Sequence, residues 1–336
     1  MKKFLALVLS IVMVLSLVAC GGGETTPTPD DTQDPVETTE PVDVVLATGG
    51  TSGTYYAVGG VLQTVLGDKL TLANLTVEST GASKANVNMM TDGEAQMAIL
   101  QSDVLNYAHE GTFTFADTGA ETSALWVMGI YNETVQILAK PGINTVSDLK
   151  GKTICVGDVG SGTEVNAWQV LGAVGLTKDD VNAVNGSFQD GVDQLKDGKI
   201  DAMIATNPIN SASLKELVTS ANAKMIPVEN DAFYEKIPAY TKYTLPAGTY
   251  EGINYDVTIP KARIIMITTE EAFTEDEAYL VTKTIWENRS EWSSSAKAVE
   301  RDVVLETALE EIDIPLHKGA IRYFDEIGMT VPANLR

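Results

Sequence analysis

The chain has 336 residues, 44% of them hydrophobic, and carries 46 acidic against 23 basic side chains, a formal charge of −23. That acid excess argues against a nucleic-acid partner, because phosphate binding needs clustered Lys and Arg, and it suits a highly soluble exported protein. With 2 cysteines there is no disulfide framework once Cys20 is spoken for, and Cys155, in "TICVG", reads as a small apolar filler of a buried strand.

In chain order, Lys2 and Lys3 come first, followed by an apolar run from Phe4 to Val18 broken only by Ser10 and Ser16. The run is shorter than the ~20 residues a spanning helix needs. It ends in Leu17-Val18-Ala19-Cys20, so residues 1–19 read as a secretory signal peptide. "LVAC" resembles a bacterial lipobox, which implies acylation of Cys20 and attachment to the outer face of the cell membrane. Residues 20–41, "CGGGETTPTPDDTQDPVETTEP", contain no aromatic residue and no base. Such composition cannot offset its ordering entropy, so a disordered tether is expected there.

The remainder is long enough for two lobes, and it is internally repeated. "VVLATGGTSGTYYAVGGVLQ" (44–63) is echoed by "TICVGDVGSGTEVNAWQVLG" (153–172), with Ser52-Gly53-Thr54 over Ser161-Gly162-Thr163. "GASKANVNMMTDGEAQMAILQ" (81–101) is echoed by "GSFQDGVDQLKDGKIDAMIAT" (186–206), with Asp92-Gly93 over Asp197-Gly198. Each half therefore reads as strand, Gly/Ser/Thr turn, helix, strand, helix closing at Asp-Gly, strand. The fold class expected is α/β, two lobes each with a mainly parallel sheet flanked by helices.

The first crossing between lobes is expected in "YNETVQILAKPGINTVSDLKGK" (131–152), with Pro141-Gly142 as punctuation, and the return near "IPKARIIMITTEE" (259–271). Lobe 1 is then 42–134 plus 264–336, and lobe 2 is 135–263. Thr274 and Glu277 form a capping box that opens a long helix over "TEDEAYLVTKTIWENRSEW" (274–292). "VLETALEEI" and "GAIRYFDEIG" add two helical pieces that pack on the first lobe.

A Gly-rich turn running into a helix presents unpaired N–H groups and the positive end of a dipole, which favours a carboxylate. Thr48, Thr51, Ser52 and Thr54 add hydroxyls. One such turn alone reads as a capped helix; two matching turns point to a ligand between the lobes, beyond the carboxyl ends of the strands. Ser79, Thr80 and Gly81, then Gln101, Ser102 and Asp103, then Thr206 and Asn207 end at the same edge. Asp103 and Glu164 either hold a ligand ammonium or compensate helix dipoles. Of Tyr55 and Tyr56, one walls the pocket and the other points into the core.

Catalysis finds no support. His109 and His317 lie far apart, and no metal motif, paired-cysteine motif or nucleophile elbow is present. Gly151-Lys152-Thr153 imitates the tail of a phosphate loop, but Val146 stands where its first glycine belongs and a strand follows. Asp179-Asp180 after Thr177 reads as a capped helix start. No catalytic residue, metal or cofactor is expected.

At "TGGTSGTYYAVGG", "STGASKAN" before "DGEAQMAILQSD", and "VSDLKGKTICVGDVGSGTEVNA" the chain resembles the TAXI-type solute receptors of TRAP transporters. "DGKIDAMI", "TLPAGTYEG" and "IPLHKGAIRYF" extend the resemblance to the C-terminus. It implies a two-lobed type II periplasmic-binding-protein fold that closes on glutamate, glutamine or another small organic acid. It also implies a monomer that hands its solute to a TRAP membrane permease driven by an ion gradient. Carried over by motif, the pocket comprises Thr48, Ser52, Gly53, Thr54 and Tyr56. Gln101, Ser102 and Asp103 follow, with Ser161, Gly162, Thr163, Glu164 and Asn166 from the second turn. One departure is "TNPIN", where Asn207 and Asn210 replace an expected small apolar stretch and favour a different polar substituent on the solute. Two other readings share the fold: a receptor for a signalling partner, and the binding protein of an ATP-driven transporter, whose heterocyclic or sulfonate ligand wants a more aromatic cleft.

Overall fold

The structure is a computed structural model that describes residues 41–336, apart from positions 68, 71, 72, 221 and 312. Cys20 and the expected signal peptide and tether lie outside the described residues.

The first repeat folds as β1 (Val42–Ala47), α1 (Thr54–Leu66), β2 (Ala73–Glu78), α2 (Ser83–Thr91) and β3 (Met97–Gln101), followed by α3 (Ser102–Glu110). β4 (Ala124–Ala139) leads to the second repeat: β5 (Thr153–Cys155), α4 (Gly162–Ala173), β6 (Asn182–Val184), α5 (Phe188–Lys196) and β7 (Ala202–Asn207). α6 (Ala212–Ser220), β8 (Lys224–Ile226), α7 (Asp231–Lys236), β9 (Thr241–Leu245) and β10 (Val257–Thr269) come next, then α8 (Glu275–Glu287), α9 (Arg289–Ser295) and α10 (Lys318–Glu326). The repeat extends to backbone detail. α2 closes at Asp92 and α5 at Asp197, and the glycine that follows has φ +73° in both, Gly93 and Gly198.

The strand order is β2-β1-β3-β10-β4-β7-β5-β6, with β8 on β4 and β9 on β10. β1 lies parallel between β2 and β3, as β5 does between β6 and β7. Each trio is completed by a long antiparallel strand, β10 beside β3 and β4 beside β7. This is the two-lobed type II periplasmic-binding-protein fold.

The chain changes lobes inside strands, not in loops. Ala124–Tyr131 of β4 pair with β10, whereas Thr134–Ala139 pair with β7. Lys261 of β10 still pairs with Thr134, while Ile264 onward pairs with β3. Pro141 and Gly142 (φ +99°) form the turn that ends β4 within the second half. The β4–β10 ladder, bulged between Ile264 and Ile265, carries backbone pairing through the crossing, which a loop there would not.

The apolar residues sort accordingly. One cluster joins the first repeat to the C-terminal helices and buries Trp126, Trp286 and Trp292 at 0–1% exposure. Two others cover the opposite faces of the β4-β7-β5-β6 half, one around Ile137, Leu149 and Phe233, the other around Leu195, Met203 and Leu217. Each fully buried side chain of this size contributes roughly 1.5–3 kcal/mol.

Two helix expectations need correction. The helix opening at Thr274 stops at Glu287, because Asn288 turns its Nδ2 back onto the Thr284 carbonyl (2.8 Å) and α9 restarts from it. "VLETALEEI" forms only a single tight turn, Leu305–Thr307. Its carbonyls serve the sheet instead: Thr307 O accepts from Arg263 Nη2 and Ala308 O from the Gly129 N–H, both at 3.0 Å.

Candidate functional site

Both Ser-Gly-Thr turns open helices, but in different registers. In the first, Gly53 donates its N–H to Gly50 O (2.8 Å) and precedes α1 with no side chain to cap it. The leading N–H groups of α1 are thus left without a side-chain cap. In the second, Ser161 itself is the cap and accepts from the Glu164 N–H (3.0 Å), while Glu164 Oε2 accepts from the Gly160 N–H (2.8 Å).

The turns face one another across a cavity of about 90 Å³. Gly49, Gly50, Gly53, Thr54, Tyr55, Ser83, Gln101 and Glu133 line it from one side, and Gly157, Asp158, Ser161, Gly162, Thr163, Thr206 and Asn207 from the other. Of the sequence-predicted residues, Gly53, Thr54, Gln101, Ser161, Gly162, Thr163 and Asn207 meet here. Thr54 Oγ1 donates across the cleft to Asn207 Oδ1 (3.2 Å). Gly162 permits the close approach, since a Cβ there would sit 2.6 Å from Gln101 Oε1 and 2.8 Å from Ser83 Oγ on the facing lobe.

Asp103 and Asn166 lie behind this cavity in a buried bridge between the lobes. Asn166 Nδ2 donates to Asp103 Oδ2 (3.3 Å), and Asn166 Oδ1 accepts from Gln101 Nε2 (3.0 Å) and Thr206 Oγ1 (2.7 Å). Tyr240 Oη also donates to Asp103 Oδ2, at 2.8 Å. Burial pushes the Asp103 carboxyl up to about 6, against the pull of the Tyr240 hydroxyl. Gln101 Oε1, Ser102 Oγ and Asp103 Oδ1 are buried with no partner, three consecutive residues with unmet polar atoms at the end of β3.

The remaining predicted residues do not line the cavity, and Thr48 and Thr80 hold the first turn instead. Thr48, fully buried, donates from Oγ1 to Glu78 O (2.6 Å) and accepts at its carbonyl from Asn86 Nδ2 (2.6 Å). Thr80 Oγ1 sits 2.5 Å from Asn86 Oδ1 and accepts from the Ala82 N–H (2.9 Å). Ser52 is exposed, Tyr56 is half-buried outside the lining, and Tyr55 is the tyrosine turned inward. Asn210, at φ +69°, donates its N–H to Tyr250 Oη (3.0 Å) away from the cavity.

Two carboxyls were missed by the sequence reading. Glu133, 3% exposed in mid-β4, accepts from Tyr131 Oη (3.4 Å), and burial holds its carboxyl well above the usual range. The signal was available: a lone acid inside "ALWVMGIYNETVQILA", where a buried charge demands a partner. Asp158, in the second turn, is raised by burial and then by the like charge of Asp190. Among the described lining residues none is Lys or Arg. The cavity therefore offers N–H groups and hydroxyls for an oxyanion, and carboxyls for an ammonium group.

A model of the NMT1-like family matches residues 46–328, most of the chain and both turns. The chain belongs to the NMT1-like family. Among solved structures, the NMT1-like chain is similar to a protein from Bordetella bronchiseptica RB50, at 18% identity over 85% of this chain and 83% of that one, TM-score 0.50. The alkanesulfonate-binding protein SsuA from Xanthomonas axonopodis pv. citri bound to MOPS matches at 15% identity over 88% and 96%, TM-score 0.47. An ancestral arginine-binding protein bound to arginine matches at 12% over 79% and 100%, TM-score 0.48. At such identities the likeness concerns the fold alone.

Proposed function

We propose that this NMT1-like protein is an extracytoplasmic solute receptor, not an enzyme, that captures a small amino acid or organic acid between its lobes. The observation that carries the reading is the convergence of two helix N-termini on one cavity that also holds Glu133 and Asp158. The solute carboxylate sits on the N–H groups and hydroxyls of Thr54 and Thr163, and its ammonium group on the carboxyls. A glutamate- or glutamine-like amino acid satisfies both ends, with Asn207 and Gln101 reaching its polar tip. The TAXI-like motifs support delivery to a TRAP permease driven by an ion gradient. "LVAC" supports a lipid anchor at Cys20 on the outer face of the membrane.

A thermal-shift screen of amino acids, dicarboxylates, keto acids and sugars tests the substrate class. A solute at ~100 times its dissociation constant adds about 2.7 kcal/mol to folding, a clear rise in melting temperature. A shift from sugars alone, with silence from the acids, refutes the site. With a hit in hand, Thr54→Ala and Thr163→Ala are each expected to cost roughly 1.5–3 kcal/mol of binding, read by calorimetric titration. Unchanged affinity in both removes the two-turn cradle.

A further inference from the structure

A second cavity, about 530 Å³, opens between the lobes on the far side of the Asp103 bridge, within the size range of small-molecule sites. Tyr107 and Phe113 line it from the first lobe, and Trp168, Phe233 and Ile237 from the second. Tyr107 and Gln169 share a hydrogen bond across the lobes and belong to its wall. Phe233 stacks on Tyr240 at 5.5 Å between ring centroids, so this wall leans on the residue that holds Asp103.

Two features mark it as built for a ligand. Phe113 stays 48% exposed at φ +48°, a left-handed conformation that strains an aromatic residue and collects at ligand sites. Its ring lies 5.3 Å from that of Tyr107 instead of in a core. The charged side chains on the wall, Glu110 and Lys236, cancel.

We propose that this cavity is a second ligand site, for a small uncharged aromatic compound. Its ring packs against Phe113 and Trp168 on the cavity wall. Because the walls belong to both lobes, an occupant binds the closed form and raises affinity in the main cavity, with the reciprocal effect required by linkage. The site stands whatever solute the main cavity takes.

The test uses benzamide on the full protein, followed by tryptophan fluorescence. Trp126, Trp286 and Trp292 are buried in the first-lobe core, which leaves Trp168 to report on the cavity. A saturable change is expected with benzamide and none with acetamide, which has the oxygen without the ring. Gly172 also lines the cavity, and a Cβ there meets nothing within 4 Å. Gly172→Leu therefore starts its side chain in open space, extends it into the cavity, and is expected to weaken benzamide binding at least tenfold with no loss of melting temperature. Phe113→Ala is expected to weaken it severalfold. No saturable change in the wild type, or identical titrations in both variants, overturns the proposal.

Discussion

Asp103 is fully buried, with one oxygen held by Tyr240 and Asn166 and the other unmet. Its carboxyl stands at about 6, above the ordinary 3.8, because burial disfavours the charged form more than the hydrogen bonds restore it. A raised carboxyl contributes stability that is complete below the unfolded value and is lost as pH climbs through the folded one. At about 1.4 kcal/mol per pH unit, the wild type should lose on the order of 3 kcal/mol relative to Asp103→Asn between pH 4 and 7. Urea midpoints of the two proteins at both pH values check this. Parallel pH dependence means that Asp103 titrates as an ordinary surface acid. Glu133 is displaced in the same direction for the same reason.

At the scale of elements, identical sequence signals are used differently by their surroundings. Ser161 caps α4, but Ser52 is left in solvent because α1 begins one residue later in the repeat, at Thr54. The first turn thereby keeps all its leading N–H groups free of a side-chain cap, whereas the second gives one, that of Glu164, to Ser161. The cap of α8 is the ordinary kind: Thr274 Oγ1 accepts from the Glu277 N–H, and Glu277 Oε2 accepts from the Thr274 N–H (2.8 Å). Thr274→Ala is expected to cost about 0.5–2 kcal/mol of stability with solute affinity unchanged, measured by denaturant unfolding and titration on the same samples. A fall in affinity would tie α8 to the cleft.

For the molecule as a whole, the lobes are joined by β4 and β10 and drawn together across the cleft by side-chain hydrogen bonds from Thr54 to Asn207, from Gln101 to Asn166 and from Asn166 to Asp103. Gly162 sets how closely they approach. Gly162→Ala puts a methyl group against Gln101 Oε1 and Ser83 Oγ, so the lobes are expected to stop short of closure. Solute affinity should fall at least tenfold, about 1.4 kcal/mol. Stability should hold or rise, since alanine favours a helix over glycine by roughly 0.5–1 kcal/mol. Small-angle scattering distinguishes the cause: solute should shrink the radius of gyration of the wild type and leave that of the variant nearly unchanged. Equal shrinkage refutes a steric block.

Local chemistry was legible in the sequence. The paired Asp-Gly helix ends, the Thr274 capping box and the alternation of strand and helix depend on residues within a turn of one another, and they determined the α/β class and the two-fold internal repeat. Long-range placement was not. Thr307 and Ala308 fail to extend a helix because Arg263 and the Gly129 N–H, distant in the chain, take their carbonyls. Thr48 and Thr80 look like ligand hydroxyls until Asn86 and Glu78 O are found beside them. Glu133 enters the cavity only because β4 runs unbroken from one lobe to the other at that residue. The sequence by itself determined which segments could form helices, strands and anion-binding turns. Which side chains met in the cleft was decided by the tertiary structure, because that depends on the register of two crossing strands and on the approach of two lobes.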